Sequence, residues 1–434
     1  MREKRTDSMF IGFALFAMFF GAGNLIFPPQ LGVLSGASWL SAFISYFIAD
    51  AGLAILCVFA MINYEGHVRE IVKPFKAAGT LLAILIALCI GPCIAIPRTG
   101  TTSFELALQP ICGFEENATL ALAIFSVVFF VIVFALTIRE SAVIDIVGKI
   151  LTPLLLIFLF ILIVMGLCGD WSVLTVTSTE TPVKDGVLNG YQTLDAMAAY
   201  MFADIIILSV FDRGYKKGKE ANKITIRASI ISCVLLFVVY GGLTYLGASV
   251  GGKWLEGVKD GSVDQAQILV NIVKEIMGES GVYVLAIVVL LACLTTAIGL
   301  TSAIAQFFDE ISSDKIKYKY VVIAVCVVSA FLCNLGLAEI ISIAAPILSF
   351  AYPLIIILLL MAFFEDKLTK TWAYWTTGLV TLIISACTVL CDLGLESMSW
   401  VYELPLANIG INWVIPAVVA LVIGIIVPRK QKEA

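Results

Sequence analysis

Long apolar stretches alternate along this chain with short polar ones, at intervals that suit a membrane better than a water-soluble core. A spanning helix needs about 20 mostly apolar residues. Twelve runs meet or approach that length: 9–34, 39–61, 79–109, 118–137, 149–168, 190–211, 227–250, 281–307, 320–334, 338–362, 373–391 and 410–428. The ninth is short. The first, third and eighth are long, which predicts tilt, breaks or buried non-helical stretches there. Met9 opens a run too long for a signal-peptide core, so it is read as the first span. Ser262–Gly278 (SVDQAQILVNIVKEIMG) is amphipathic instead, and predicts a short helix lying over the mouth of the protein.

Charge fixes the orientation. Twelve spans put both termini on one side. Of the 27 Lys and Arg, 22 fall on that side, four fall on the other, and Arg98 lies within a span. The positive-inside rule then makes both termini cytoplasmic. The densest basic loop, Asp212–Lys223, is read as a topology anchor. Composition agrees: 61% of residues are hydrophobic and 14% charged, against roughly a quarter charged in soluble domains. The expected class is an all-α polytopic membrane protein. The eleven Cys are scattered and fit no metal quartet or disulfide framework. The only His is His67, in a polar loop, which excludes a multi-His metal site.

The first span carries a contradiction. Met18–Gly32 (MFFGAGNLIFPPQLG) holds three glycines, two adjacent prolines and an asparagine. Gly and Pro both argue against a smooth helix. In hydrocarbon a broken helix leaves backbone groups unpaired at several kcal/mol each, so the break must face protein, water or a solute. An interrupted helix offers N–H donors at the start of its outer half, which suit a carboxylate, and carbonyls at the end of its inner half, which suit a cation. Secondary transporters built from inverted repeats use this arrangement. Gly21, Ala22 and Gly23 are the candidates for backbone contact with a substrate carboxylate. Asn24 either holds the break together or ligates an ion.

Three stretches carry a family resemblance. FFGAGNLIFPPQLG in the first span, IGPCIAIPRTGTTSFE (Ile90–Glu105) in the third and GYQTLDAMAA (Gly190–Ala199) in the sixth resemble, in order and spacing, signatures of the branched-chain amino acid:cation symporter family. The resemblance covers the whole chain. It implies twelve transmembrane helices, with a five-plus-five inverted-repeat (LeuT-like) core and two C-terminal helices. The boundaries are a cytoplasmic N-terminus 1–8, a first repeat 9–168, an inverted second repeat 190–362, accessory helices 373–428 and a cytoplasmic tail 429–434. It also implies uptake of leucine, isoleucine and valine across a bacterial cytoplasmic membrane, driven by Na⁺ or sometimes H⁺. The first and sixth spans should be the equivalent broken pair. The sixth lacks a Gly-rich break, and Phe202-Ala203-Asp204 departs from the smaller, neutral stretch expected where that helix unwinds.

The same resemblance carries over a Na⁺ site. Ala292-x-x-Thr295-Thr296 is similar to the element with which the wider fold holds Na⁺. The implied ligands are the carbonyls of Ala17, Phe20 and Ala292 and the hydroxyls of Thr295 and Thr296. Neutral oxygens suit a hard monovalent cation. No titratable group is visible among them, which favours Na⁺ over H⁺ as the coupling ion. No other cofactor is expected.

Charged residues within spans are functional candidates by default. Arg98 and Glu105 lie seven apart, about 10 Å along a helix, too far for a close pair. Asp195 is the other candidate partner for Arg98, and a gate or structural ion pair is the expected role. Asp204 stands open between a proton-linked group, a pocket-lining charge and a buried acid satisfied by neighbours. Ile94, Pro97, Met201 and Phe202 are candidate walls for an aliphatic side chain. The expected partners are a small zwitterionic substrate and lipid, with no nucleic acid and no obligate protein partner. A membrane-embedded enzyme would need nucleophile–base pairs or metal motifs, and a channel would need a filter sequence; neither is present. A carrier of another zwitterion on the same fold remains the alternative.

Overall fold

The computed structural model describes residues 2–62, 64, 72–114, 117–139, 143–169, 179–312, 315–364, 368 and 371–426. His67, the basic residues Arg69, Lys367 and Lys370, and the tail 429–434 lie outside them. The described residues are almost entirely helical. The elements used below are α1 (Arg2–Phe19), α2 (Ala22–Ser35), α3 (Trp39–Phe47), α4 (Leu53–Ile62), α5 (Ala77–Leu88), α6 (Ala95–Ser103), α7 (Ala118–Thr137), α8 (Thr152–Leu167), α9 (Pro182–Gln192), α10 (Asp195–Asp212), α11 (Lys219–Val250), α12 (Gln265–Met277), α13 (Glu279–Ile311), α14 (Tyr318–Leu332), α15 (Leu337–Ala362), α16 (Thr371–Asp392) and α17 (Val414–Ile426).

Nine described helical stretches are long and apolar enough to cross a membrane, or ten when the bent pair α9–α10 is taken as one. Thr6–Phe19 and α17 are shorter apolar helices. Burial sorts the stretches into layers. The most apolar window of α13 is 78% buried, whereas that of α7 is 28% buried. Thus α13 is central and α7 peripheral. Leu120, Ile124, Val127 and Val131 line the exposed face of α7 at helical spacing, as a lipid-facing stripe requires.

Among the described residues, two spans are broken by a non-helical pair of residues. The first breaks at Phe20-Gly21, between α1 and α2. The sequence placed this break across Gly21–Asn24. Instead Ala22, Gly23 and Asn24 form the first turn of α2, and Pro28 and Pro29 continue that helix. The second break lies at Thr193-Leu194, where α9 and α10 meet at 42°. Leu194 has φ +71°, a left-handed conformation that non-Gly residues rarely adopt. It lies eight residues before Phe202-Ala203-Asp204, which is continuous helix. The sixth segment also starts earlier than predicted, at Pro182. The third segment is irregular at 89–94, where Gly91 and Ile94 leave helical geometry between α5 and α6.

The breaks are embraced by reciprocal partners. Both halves of the first interrupted helix pack along α11, while α9 packs on α3 and α10 on α4. The α2–α11 crossing is close: a Cβ on Gly32 would lie 2.0 Å from the Thr244 carbonyl oxygen, and one on Gly247 would lie 2.0 Å from that of Pro29. Small residues permit such crossings in membranes. The amphipathic segment predicted near 262–278 is α12. It begins with a capping box, Gln267 N–H to Asp264 Oδ1 at 2.8 Å and Asp264 N–H to Gln267 Oε1 at 3.3 Å. Its apolar face packs on α2 and α13.

Candidate functional site

The two breaks face each other across a small cavity. Gly21, Ala22 and Asn24 line it from the first break and Thr193, Leu194 and Asp195 from the second. Met18, Phe19, Ala95, Arg98, Thr99, Ala198, Phe202, Thr296 and Leu300 complete the wall. Its volume is about 20 Å³, room for about one water molecule. The molecule is therefore closed around its centre. Phe19 and Phe202 meet edge to face at 5.5 Å. Of the four predicted wall residues only Phe202 lines the cavity. Ile94, Pro97 and Met201 are buried but do not face it.

Asn24 is the hub. Its Oδ1 accepts the Gly21 N–H at 3.3 Å, so the amide ties its own break together and its NH₂ points away. Nδ2 lies 3.0 Å from Asp195 Oδ2, 3.2 Å from Asp50 Oδ2 and 2.5 Å from the Tyr240 hydroxyl. The Thr193 hydroxyl, at the second break, lies 2.7 Å from Asp50 Oδ1 and 2.6 Å from the Gly190 carbonyl. Asp50 is fully buried and Asp195 nearly so. Asp50 and Tyr240 were not singled out from the sequence. Each sits in an apolar run, and each acts through partners distant in the chain.

The sequence offered Asp195 as a partner for Arg98 and set Glu105 too far for a close pair. Arg98 lies within electrostatic reach of Asp195, while its hydrogen bonds, like that of Glu105, go to backbone groups. Arg98 donates from Nη1 to the Gln192 carbonyl at 2.7 Å and from Nη2 to the Thr193 carbonyl at 3.2 Å. These carbonyls lie at the C-terminal end of α9, where the second break leaves them without helical donors. A Cβ on Gly23 would lie 2.8 Å from Arg98 Nη2, so the guanidinium also rests on the first turn of α2. Glu105 Oε1 accepts the Leu337 N–H at 3.0 Å and caps the start of α15. Asp204 lies on α10, half-buried, and does not line the cavity.

Next to the cavity, oxygens from the end of α1 and the middle of α13 converge. The Thr295 hydroxyl lies 3.0 Å from the Ala17 carbonyl and 2.9 Å from that of Ala292. The Thr296 hydroxyl lies 3.2 Å from the carbonyls of both Ala17 and Met18. Four of the five predicted ligands, Ala17, Ala292, Thr295 and Thr296, are thus together, with the Met18 carbonyl beside them. The Phe20 ring packs between Phe16 and Tyr240. A Cβ on Gly21 would lie 2.8 Å from Thr296 Oγ1, so only glycine lets the break come this close. All these oxygens are neutral, a donor set that fits an alkali cation.

Two interrupted helices meeting at a buried polar centre are an arrangement that secondary transporters use. Known structures share the fold. The fold is similar to that of Mhp1, a nucleobase-cation-symport-1 family transporter, in a closed conformation with bromovinylhydantoin bound, with TM-score 0.63 at 13% identity over 96% of this chain and 91% of that one. It is also similar to a Na⁺-coupled sialic acid symporter in a substrate-bound outward-open state, with TM-score 0.59 at 13% identity over 98% and 91%. The sequence is more specific. The profile described as "Branched-chain amino acid transport protein" matches residues 4–431, and the chain belongs to that family, which comprises transporters and not enzymes. A protein named as a branched-chain amino acid carrier in Staphylococcus saprophyticus is 36% identical over 98% of this chain and 97% of its own length. One so named in Staphylococcus aureus is 34% identical over 96% and 95%.

Proposed function

We propose that this chain imports leucine, isoleucine and valine together with Na⁺ by alternating access. It sits in a bacterial cytoplasmic membrane, with twelve spans and both termini in the cytoplasm. In this reading α1 and α2 are the halves of the first span, and α17 is the short twelfth. Residues 9–168 and 190–362 are inverted repeats, and 373–428 hold the accessory pair. The reciprocal packing supports the repeat: the first span lies along the seventh as the sixth lies along the second.

The observation that carries the reading is the placement of both breaks around one cavity beside the Thr295–Thr296 oxygens. The free N–H groups at the start of α2, on Ala22, Gly23 and Asn24, receive the substrate carboxylate. Phe19, Ala198, Phe202 and Leu300 receive the aliphatic side chain. Na⁺ is held by the carbonyls of Ala17, Phe20 and Ala292 and the hydroxyls of Thr295 and Thr296, with the Met18 carbonyl in reach. It ties the broken helix to α13 and so orders Gly21–Asn24 for substrate. Arg98, clasping the carbonyls at the second break, acts as part of the gate.

Purified protein in proteoliposomes should accumulate radiolabelled isoleucine above its external concentration under an inward Na⁺ gradient. Leucine and valine should compete, while serine and lysine should not. Competition by polar or cationic amino acids, with none from leucine or valine, would assign the carrier to another solute.

A further inference from the structure

The mechanism above leaves Asp50 without a role. It lies in the second span, fully buried, and shares the Asn24 amide with Asp195. We infer that Asp50 and Asp195 form a proton-binding pair, which holds one shared proton while the two broken helices are closed on each other and releases it when they part. This rests on the geometry of the breaks and not on which solute is carried.

Three observations carry it. The first is charge. The groups facing the pair from the surrounding helices are Tyr46, Tyr240, Tyr352 and Arg98. Arg98 is the one cation among them, and its described hydrogen bonds go to backbone carbonyls. Two buried carboxylates against one guanidinium leave a net negative charge in a low-dielectric interior, and like charges at one site do not both ionise there. One proton makes the cluster neutral.

The second is occupancy. The two carboxyls are within hydrogen-bonding reach of each other, and the Asn24 NH₂ lies against Oδ2 of both, at 3.2 Å from Asp50 and 3.0 Å from Asp195, where a bridging metal ion would also have to bind. The orientation of this amide is fixed by Gly21 N–H on Oδ1. An N–H donor repels a cation but accommodates a protonated carboxyl. The third is a buried neighbour. The Tyr46 hydroxyl is fully buried and faces both carboxyls. It lies one helical turn from Asp50, its ring against Tyr240 at 5.6 Å. A phenol in that place can donate to whichever carboxylate is ionised.

The route for the proton follows from the lining. Asp195 borders the cavity and Asp50 does not. Separation of α2 from α10 breaks the Asn24–Asp195 contact and admits water to Asp195. The shared proton then leaves to that water, and both carboxylates are ionised. Closure takes a proton back.

Infrared difference spectroscopy of the purified full-length protein at neutral pH reads this directly, without any solute. A solvent-shielded protonated-carboxyl band is expected in the wild type, unchanged by Na⁺. The same band should be missing in both Asp50→Asn and Asp195→Asn, because the acid left behind no longer shares a proton and ionises. Loss in only one variant would place a private proton on that residue and overturn the sharing. No band altered by either substitution, or a band abolished by Na⁺, would overturn the proton site. Should an asparagine variant fail to fold, Asp50→Glu retains the acid and must shift the band; an unshifted band contradicts the assignment.

Discussion

The Asn24 side-chain nitrogen lies 3.0 Å from Asp195 Oδ2, and this hydrogen bond links the two interrupted helices. Asn24 closes its own break through Gly21 and reaches the other break through Asp195. Replacing it with Ala leaves two buried carboxylates without their shared donor, at about 1–3 kcal/mol each. Asn24→Ala should therefore lower the melting temperature in detergent and abolish uptake. Asn24→Asp adds a third carboxylate and should be at least as damaging. Uptake at wild-type rates in Asn24→Ala would remove Asn24 from the centre of the account.

The ion assignment predicts a shift in Na⁺ dependence. Thr295→Ala combined with Thr296→Ala removes two of the proposed ligands. It should raise the Na⁺ concentration for half-maximal uptake at least about tenfold, which is ~1.4 kcal/mol, with a smaller change in isoleucine affinity at saturating Na⁺. Gly21→Ala should move the same parameter, since the new Cβ would press on Thr296 Oγ1 at 2.8 Å. An unchanged Na⁺ requirement would exclude the site.

Arg98 and Glu105 should separate under substitution. Arg98→Lys can serve only one of the carbonyls of Gln192 and Thr193 well. Uptake should fall by tenfold or more, corresponding to roughly 1.5–3 kcal/mol for a charged hydrogen bond. Glu105→Gln keeps an acceptor for the Leu337 N–H and should transport normally. Glu105→Leu leaves that N–H unpaired and should lose about 1–3 kcal/mol of stability, read by thermal unfolding. Equal damage from Glu105→Gln would argue for an ion pair instead.

The α2–α11 crossing predicts a folding defect. Gly247→Val must displace the Pro29 carbonyl, which a Cβ would approach to 2.0 Å. Overpacking of this kind costs about 1–3 kcal/mol or more. Size-exclusion chromatography should show little monodisperse protein, whereas Ile124→Val, on the exposed face of α7, should remain monodisperse.

Much of this was legible in the sequence because lipid imposes it. Apolar runs located the helices, and glycines in the first span located its break to within a residue or two. The Thr295-Thr296 element was legible through its resemblance to an ion-binding motif. The second break was not, because Leu194 adopts a left-handed backbone without glycine and the surrounding contacts stabilise what local propensity opposes. Asp50 escaped notice for a related reason. Its partners Asn24 and Thr193 are 26 and 143 residues away, and only the packing of α2 and α9 against the second span brings them together. An acid alone in an apolar run was itself a signal.

The most direct test of the central claim sets one gradient against another. Isoleucine uptake into proteoliposomes should be measured under an inward Na⁺ gradient and, separately, an inward H⁺ gradient, each with an ionophore control. Concentrative uptake that follows Na⁺ and collapses when a Na⁺ ionophore is added is the predicted result. Uptake that follows H⁺ alone, indifferent to Na⁺, would contradict Na⁺ coupling through Thr295 and Thr296 and shift the coupling role to Asp50 and Asp195.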